Sequence, residues 1–386
     1  MTTSHDILAR VDEILPQIAA RNDEADGEGQ LQDETVQELI DAEILATLAP
    51  KAYGGLELDI QTFSQIVQRV STASPSAGWV CSFLMGASWR LLIFPREGQE
   101  EIFGGRNYVL GAGAAAPIFD VTKVDGGFLL TGRTAWNSGS SAARWFQMNG
   151  LLKVDDRPPT LMMFAMPRED VTILDTWHIL GMKGTASRDL VVENVFVPDR
   201  RAAPFNGALN GKSEGHRLHN NSMYHIPFVP FAMCEVVPVV VGTHRGASGA
   251  LVDRTRERMG TLSGAKAIDK VPAQIRMAQG NARSDMAEQM LTAMIDRITL
   301  NVSDTAKLIN RAEIKLQAAM ISDFCLNSVN EMARSVGGDA FRNEAAFQRY
   351  FRDINTVSRH AFLDPDTAGE SVGKMTLGLP VSDPMI

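Results

Sequence analysis

Cysteine is scarce in this chain of 386 residues: Cys81, Cys234 and Cys325 stand far apart and show no paired spacing. That supports neither a disulfide framework nor a zinc site, and it fits a reducing cytoplasm. Positive charge is short as well, the formal net charge being −9. A nucleic-acid surface would want a basic stripe, so no nucleic-acid partner is expected. Much of the excess is local: residues 1 to 50 hold twelve acids against Arg10 and Arg21 alone, which reads as a solvated helical face. Long apolar runs are also missing. The most apolar stretch, Trp79 to Trp89, is stopped by Arg90 and is too short for a bilayer, so a buried helix and no membrane span are expected. Met1-Thr2-Thr3-Ser4-His5-Asp6 carries no basic region followed by an apolar core, so no signal peptide is expected. No strand, Gly-x-Gly-x-x-Gly and helix unit occurs, which removes a nicotinamide-binding fold. The seven histidines show no ligand spacing to one another or to a carboxylate pair, so no metal site is expected. Internal repeats and low-complexity tracts are absent.

What is present is an ordinary globular composition, 45% hydrophobic and 22% charged, in a chain long enough for two or three packed domains. Ile7, Leu8, Val11, Ile14, Leu15 and Ile18 recur at helical spacing, as do Val36, Leu39, Ile40, Ile44 and Leu45. The acidic segment Asp23 to Gly29 between them reads as a connection. Phe63 to Val70 and the apolar run at 79 to 94 continue the helical pattern, and a short acidic helix around Gln99 to Phe103 ends at Gly104-Gly105. From Tyr108 to about Arg200 short apolar strands alternate with turn signals, Asp125-Gly126-Gly127 being the strongest hairpin signal. Residues 201 to 222 are polar and read as a linker or surface loop. The helical period returns from Phe228 to Gly260, Val271 to Asn301, Ala306 to Val336 and Ala345 to Phe362. The expected architecture is α+β: a helical N-terminal domain (1–105), a middle β-barrel or sandwich domain (106–222) and a C-terminal four-helix bundle (223–386).

Gly181-Met182-Lys183-Gly184-Thr185-Ala186-Ser187-Arg188-Asp189, running on to Val195-Phe196-Val197-Pro198, is similar to a glycine-rich segment of the acyl-CoA dehydrogenase superfamily. Gly337-Gly338-Asp339-Ala340, Gln348-Arg349 and Arg352-Asp353 follow at the distances that superfamily shows, and the α, β, α order resembles it over nearly the whole chain. In the dehydrogenases a carboxylate base commonly follows the Arg-Asp pair. Here the stretch offers His360 and no acid before Asp364, and an imidazole suits a proton near neutral pH. Ser138-Gly139-Ser140-Ser141-Ala142-Ala143-Arg144-Trp145 resembles a motif of the two-component flavin monooxygenase branch. That branch contains the oxygenase components of p-hydroxyphenylacetate hydroxylases, steroid-ring hydroxylases and dibenzothiophene monooxygenases.

The resemblance implies an oxygenase component that takes reduced flavin (FMNH2 or FADH2) from a separate NAD(P)H:flavin reductase. A flavin C4a-hydroperoxide would then hydroxylate an aromatic or heteroaromatic small molecule. It implies His360 as the substrate-side base and Ser138 as its orienting partner. Flavin contacts would come from Trp79, Gly113, Ala114, Ala115, Trp136, Asn137, Ser138, Gly338, Asp339, His360 and Ala361. Arg258 would meet the flavin phosphate, with Arg254 and Arg256 as neighbouring candidates, in a homotetramer. Without the resemblance, Trp79, Trp136 and Trp145 read as core, 138–140 as a turn, and His360 as structural. Many relatives place a second histidine where this chain has Gly86-Ala87-Ser88-Trp89, which points to a different substrate from a simple phenol. Two other readings stand beside this one. A true FAD-dependent acyl-CoA dehydrogenase would draw its carboxylate from elsewhere, such as Glu257. A non-catalytic member of the scaffold would act through oligomerisation.

Overall fold

The computed structural model describes residues 2–153, 158–259, 264, 266–383 and 385–386, the side chains of residues 115–117 excepted. Helices open the chain because apolar residues recur at their period and polar ones cap them. A capping box between Thr3 and Asp6 starts α1 (Ser4–Ala20), which buries Ile7, Val11 and Ile18. The acidic segment after it is not a plain connection but a helix, α2 (Asn22–Glu28), closed by Gly29 at φ 68°. Its acids favour the first helical turn, where they meet the dipole's positive end. The next helix, α3 (Asp33–Asp41), stops before Ile44 and Leu45, because Glu43 adopts φ 60° and a 3₁₀ turn follows. Asp59 caps α4 (Ile60–Ala73), and Ser74 with Pro75 starts α5 (Pro75–Arg90); α6 (Arg96–Phe103) ends on left-handed Gly104.

Seven strands then form one sheet: β1 (Gly111–Val124), β2 (Gly127–Asn137), β3 (Trp145–Leu152), β4 (Thr160–Pro167), β5 (Thr172–Leu174), β6 (Arg188–Pro198) and β7 (Ala202–Pro204). Their order is β5-β6-β2-β1-β3-β4-β7, with β1 and β3 parallel and every other pair antiparallel. The expected hairpin is there: Val124 pairs with Gly127 across Asp125-Gly126, and Gly126 takes φ 71°. The β region is thus a single sheet rather than a two-sheet sandwich. It is strongly curled, since Phe128 of β2 and Phe164 of β4 lie three strand spacings apart, about 14 Å if flat, yet their ring centroids are 5.2 Å apart. Phe119, Phe128, Phe146, Met148, Phe164 and Leu190 fill the inside of that curl. Alternate residues of β3 and β4, among them Gln147, Asn149, Met163 and Ala165, are buried outside this cluster, and Met163 and Ala165 join the helical core.

The stretch 201–222 is not a surface loop. It contains β7 and α7 (Phe205–Leu209), and its histidines are buried: His216 Nε2 lies 2.9 Å from the Trp89 carbonyl oxygen and His219 Nε2 2.9 Å from Gln99 Oε1. Its polar residues are spent on internal hydrogen bonds, which composition does not reveal. The long members of the C-terminal region are α8 (Phe228–Glu257), α9 (Val271–Leu300) and, after α10 (Val302–Thr305), α11 (Leu308–Val336). Onto them pack α12 (Ala346–Val357), against α8, and α13 (Pro365–Thr376), against α11. The last is a helix the periodicity missed, since Gly369 and Gly373 interrupt its pattern.

Helix α8 is the centre of the molecule, buried almost continuously from Phe228 to Ser248 and touching α4, α5, α9, α11 and α12. It crosses α4 closely because Gly242 has no side chain: a Cβ there would stand 2.4 Å from the Gln68 carbonyl oxygen, a backbone atom that cannot swing aside. Gly242→Ala should therefore lower stability by about 1–3 kcal/mol through overpacking, measured by urea unfolding; an unchanged midpoint would contradict the crossing.

Candidate active site

The site is assembled where the end of β2, the 181–187 segment, α5 and the chain after α12 converge. Trp136 holds φ 65°, a conformation costly for a bulky residue, and its indole is 62% exposed against Trp177, with ring centroids 5.3 Å apart. Trp136 is thus not core. The bend it makes carries Ser138 inward, where Ser138 Oγ accepts from Trp79 Nε1 at 2.8 Å and shares a hydrogen bond with Ser187 Oγ at 2.8 Å. Ser187 in turn meets Thr185 Oγ1 at 2.7 Å, and Thr185 donates to the Met182 carbonyl at 2.9 Å. Three hydroxyls and one indole N–H thus form a continuous chain.

Backbone strain and one buried acid hold the 181–187 segment. Met182 and Ala186 both adopt positive φ (57° and 45°). The Met182 N–H donates to Asp353 Oδ1 at 2.6 Å, and Arg352 Nε approaches the same oxygen at 3.3 Å. Arg349 and Arg352 both pair with Asp26, and Arg349 also with Asp23. Burial pushes the Asp353 carboxyl up to about 6, against the pull of Arg352.

His360 caps the 3₁₀ turn 361–363: the Phe362 N–H donates to His360 Nδ1 at 3.3 Å. Its ring packs edge-on to Trp79 (5.4 Å) and Phe362 (5.4 Å). Desolvation lowers its pKa to about 4, so the imidazole is neutral at pH 7. With Nδ1 accepting, the remaining proton sits on Nε2. From Trp79 the same face of α5 leads to Phe83 (ring centroids 4.8 Å apart) and on to Arg90, whose guanidinium carbon is 5.3 Å from the Phe83 ring centre.

The sequence-nominated residues do not all gather here. Trp79, Ser138 and His360 do. Asn137 is buried and turned into the sheet, its amide donating to the carbonyls of Thr134 (3.3 Å) and Arg188 (3.1 Å). Gly113 allows close approach of β3 rather than open space, since a Cβ there would stand 2.3 Å from the Gln147 carbonyl oxygen; its neighbour Ala114 is half-buried, and the side chain of Ala115 lies outside the described residues. Arg258 donates to the Ser335 carbonyl at 2.8 Å beside Gly337, so in a single chain it caps the C-terminal end of α11. Gly338 and Asp339 are exposed there, Asp339 pairing with Arg254 (3.6 Å) and Arg342 (3.2 Å); Ala361 is exposed beside His360. Arg256 pairs with Asp253 at 3.6 Å, and the carboxylate nominated for a dehydrogenase, Glu257, is exposed at the end of α8.

Sequence reasoning missed Thr185, Ser187 and Phe83 as site residues. The first two lay inside the quoted glycine-rich segment, and Phe83 follows Trp79 by four residues, which is helix-face spacing. It also missed a buried pair. Arg90, the one charged residue of α5, and Glu235, the one acid or base between Phe228 and Thr243 of α8, are bonded to one another, and burial pushes the Glu235 carboxyl up to about 7 against the pull of Arg90.

A flavin suits this donor set. An exposed indole offers a flat wall, the Ser138–Ser187–Thr185 chain offers hydroxyls for a polar edge, and Trp79 and Phe362 supply apolar surface. Among the described residues no group of three or more His, Cys, Asp or Glu is placed to hold a metal ion, and no helix is long and apolar enough to cross a membrane.

Comparison with known proteins bears on the family and the overall fold. The acyl-CoA dehydrogenase N-terminal domain matches residues 5–103 and the acyl-CoA dehydrogenase C-terminal domain residues 235–365. A pigment production hydroxylase of Rhodococcus sp. (strain ATCC 21145) is 49% identical over 100% of this chain and 99% of its own. The oxygenase subunit HsaA of a flavin-dependent monooxygenase from Mycobacterium tuberculosis is 31% identical, over 98% of this chain and 97% of its own. The crystal structure of the HsaA monooxygenase from M. tuberculosis superposes with a TM-score of 0.91 at 28% identity, covering 99% of this chain and 100% of that one.

Desolvation lowers three imidazoles to about 4: His216, His244 and His360. Their NMR signals should titrate near pH 4 rather than near the ordinary 6.5. The unfolded chain takes up these protons first, so their contribution to stability should be lost as the pH falls from about 6.5 to about 4. Each histidine then costs about 1.4 kcal/mol for every tenfold rise in proton concentration across that window. A titration of His360 near pH 6.5 would contradict its packing.

Proposed function

The chain belongs to the acyl-CoA dehydrogenase family, in the branch of flavin-dependent monooxygenases, and from that premise we propose that it is the oxygenase component of a two-component system hydroxylating an aromatic or heteroaromatic small molecule. The observation that carries this reading is the pairing of Ser138 with Trp79 beside a neutral His360, with no carboxylate taking the dehydrogenase's place after Arg352-Asp353. Reduced flavin, FMNH2 or FADH2, would supply two electrons and activate dioxygen, one atom of which goes to the substrate and the other to water, and a separate NAD(P)H:flavin reductase would supply the flavin. Ser138, Ser187, Trp79 and Trp136 hold its polar edge and ring. The apolar surfaces of Trp79, Phe83 and Phe362 keep water from the reacting atoms.

His360 has a narrower role than that of a strong base. Its Nε2 already carries the proton, and an imidazole with pKa about 4 is a weak acceptor. It donates from Nε2 to the oxygen of the substrate's acidic group and so orients the ring. The remaining site residues nominated from the sequence, Gly113, Ala114, Ala115, Asn137, Gly338, Asp339 and Ala361, stay proposals for flavin contact through backbone. Arg258 is proposed to meet the flavin phosphate across a subunit boundary.

The assembly is proposed to be a cytoplasmic homotetramer. Its support is the apolar surface that α9 and α11 leave in water, including Ile275 (50%), Met286 (50%), Leu300 (82%) and Met320 (54%), together with three free, buried thiols. Sedimentation at micromolar concentration should give four chains per particle; an active monomer would refute the tetramer.

The decisive experiment mixes the protein anaerobically with reduced flavin, admits oxygen and follows absorbance by stopped flow. A long-lived transient between the reduced and oxidised flavin spectra, and a protein that purifies colourless, are expected. Tightly held oxidised FAD that an acyl-CoA reduces would instead establish a dehydrogenase.

Variants at His360 separate a donor from a base. His360→Ala should shift turnover toward hydrogen peroxide, with product formation falling about threefold to tenfold, the weight of one hydrogen bond of about 0.5–1.5 kcal/mol. His360→Asn, which keeps an N–H donor, should recover part of the loss. A fall of about 10²–10⁴ in both variants would restore the base.

A further inference from the structure

The sheet and two apolar helices bury one polar group that neither the flavin contacts nor the fold requires. Arg90 Nη1 bonds Glu235 Oε1, Nε donates to Gln147 Oε1 at 3.2 Å, and Nη2 donates to the Phe83 carbonyl oxygen at 2.9 Å. All three side chains are buried, at 6%, 2% and 5% exposure. A buried ion pair is poor stabilisation compared with apolar packing, so its presence in the apolar centre needs another reason.

Its position supplies one. Trp79, Phe83, Gly86 and Arg90 fall at i, i+4, i+7 and i+11, one face of α5. That face begins at His360 and Ser138, runs over the half-buried Phe83 ring, and ends on the ion pair. Gly86 makes the room: a Cβ there would stand 1.9 Å from Glu235 Oε1 and 2.8 Å from Arg90 Nη1. The group also has hydrogen-bonding capacity to spare. Three of the five guanidinium N–H groups are committed, and Glu235 Oε2 and Gln147 Nε2 have no hydrogen-bond partner among the described residues.

We propose that Arg90, Glu235 and Gln147 form the polar end of the substrate cleft and select an aromatic substrate whose far end carries an uncharged hydrogen-bonding group over one that carries a carboxylate. The inference rests on the oxygenase reading for the identity of the cleft. Arg90 is already matched by Glu235. A second carboxylate brought beside them would meet no free positive charge and one negative charge, in surroundings that screen poorly. A hydroxyl or amide can instead donate to Glu235 Oε2 and accept from Gln147 Nε2 or the spare guanidinium N–H groups, and a ring N–H can donate to Glu235 Oε2. Such a site rejects by leaving polar groups unpaired, which discriminates more sharply than shape does.

The test compares 4-hydroxyphenylacetamide with 4-hydroxyphenylacetate, which differ by one charge. Each is titrated calorimetrically, without oxygen, into the protein loaded with reduced flavin. The amide should bind at least tenfold more tightly to the natural protein. In Glu235→Gln, where the guanidinium loses its partner, the ratio should move at least tenfold toward the carboxylate. Gln147→Met removes the spare donor from the sheet side and leaves the ion pair, so amide affinity should fall about threefold to tenfold even if Glu235→Gln folds poorly. Equal binding of the two compounds, failure to bind either, a ratio unchanged in Glu235→Gln, or unaltered amide binding in Gln147→Met overturns the proposal. Because binding is read without oxygen, a protein that discriminates as stated but gives no long-lived flavin transient when oxygen is admitted would defeat the oxygenase reading and leave the pocket assignment standing.

Discussion

Asp353 is the acid on which the rest of this site depends. One of its oxygens accepts the Met182 N–H, and its neighbours Arg349 and Arg352 reach the acids of α2. A helix near the N-terminus, the strained turn before β6 and a helix near the C-terminus are therefore locked by one charged cluster. Ser187 and Thr185 follow Met182 by a few residues, so the position of the hydroxyl chain against Ser138 is set by that lock. Burial raises the carboxyl to about 6, and the Met182 N–H and Arg352 are what favour its ionised form. An apolar residue at 353 would free the turn, and two residues at positive φ would have nothing to hold them there.

Architecture was legible in the sequence because it rests on local signals. Helical period, caps at Thr3, Asp59 and Ser74, and the Asp125-Gly126 turn each fix their own neighbourhood. Where the reading failed, the deciding contact was distant. Asn22–Glu28 looks like an acidic connection until its acids find Arg349 and Arg352. His216 and His219 look like loop polarity until they meet the Trp89 carbonyl and Gln99. The curl of the sheet brings together Phe128 and Phe164, which no spacing relates.

The site divides the same way. Motif resemblance brought Trp79, Ser138 and His360 together, and these three do share one place. It did not reveal that Asn137 is spent within the sheet, that Trp136 stands in solvent, or that a carbonyl of β3 fills the space beside Gly113. Arg90 and Glu235 carried a usable signal: one charge in α5 and one in the apolar first half of α8, of opposite sign. A chain rarely buries such charges unless they meet.

The contacts that close the site span very different distances along the chain. Trp79 and Ser138 are 59 residues apart, Met182 and Asp353 are 171, and the pairs Asp23–Arg349 and Asp26–Arg352 are each 326. A chain emerging from the ribosome can form the hairpin and the first helices early, because closing short loops costs little entropy. It cannot lock the 181–187 turn until α12 has been made. A partly synthesised protein therefore has most of its sheet but not an ordered hydroxyl chain, and the run of hydrogen bonds from Trp79 through Ser138 and Ser187 to Thr185 is among the last parts of the molecule to be fixed.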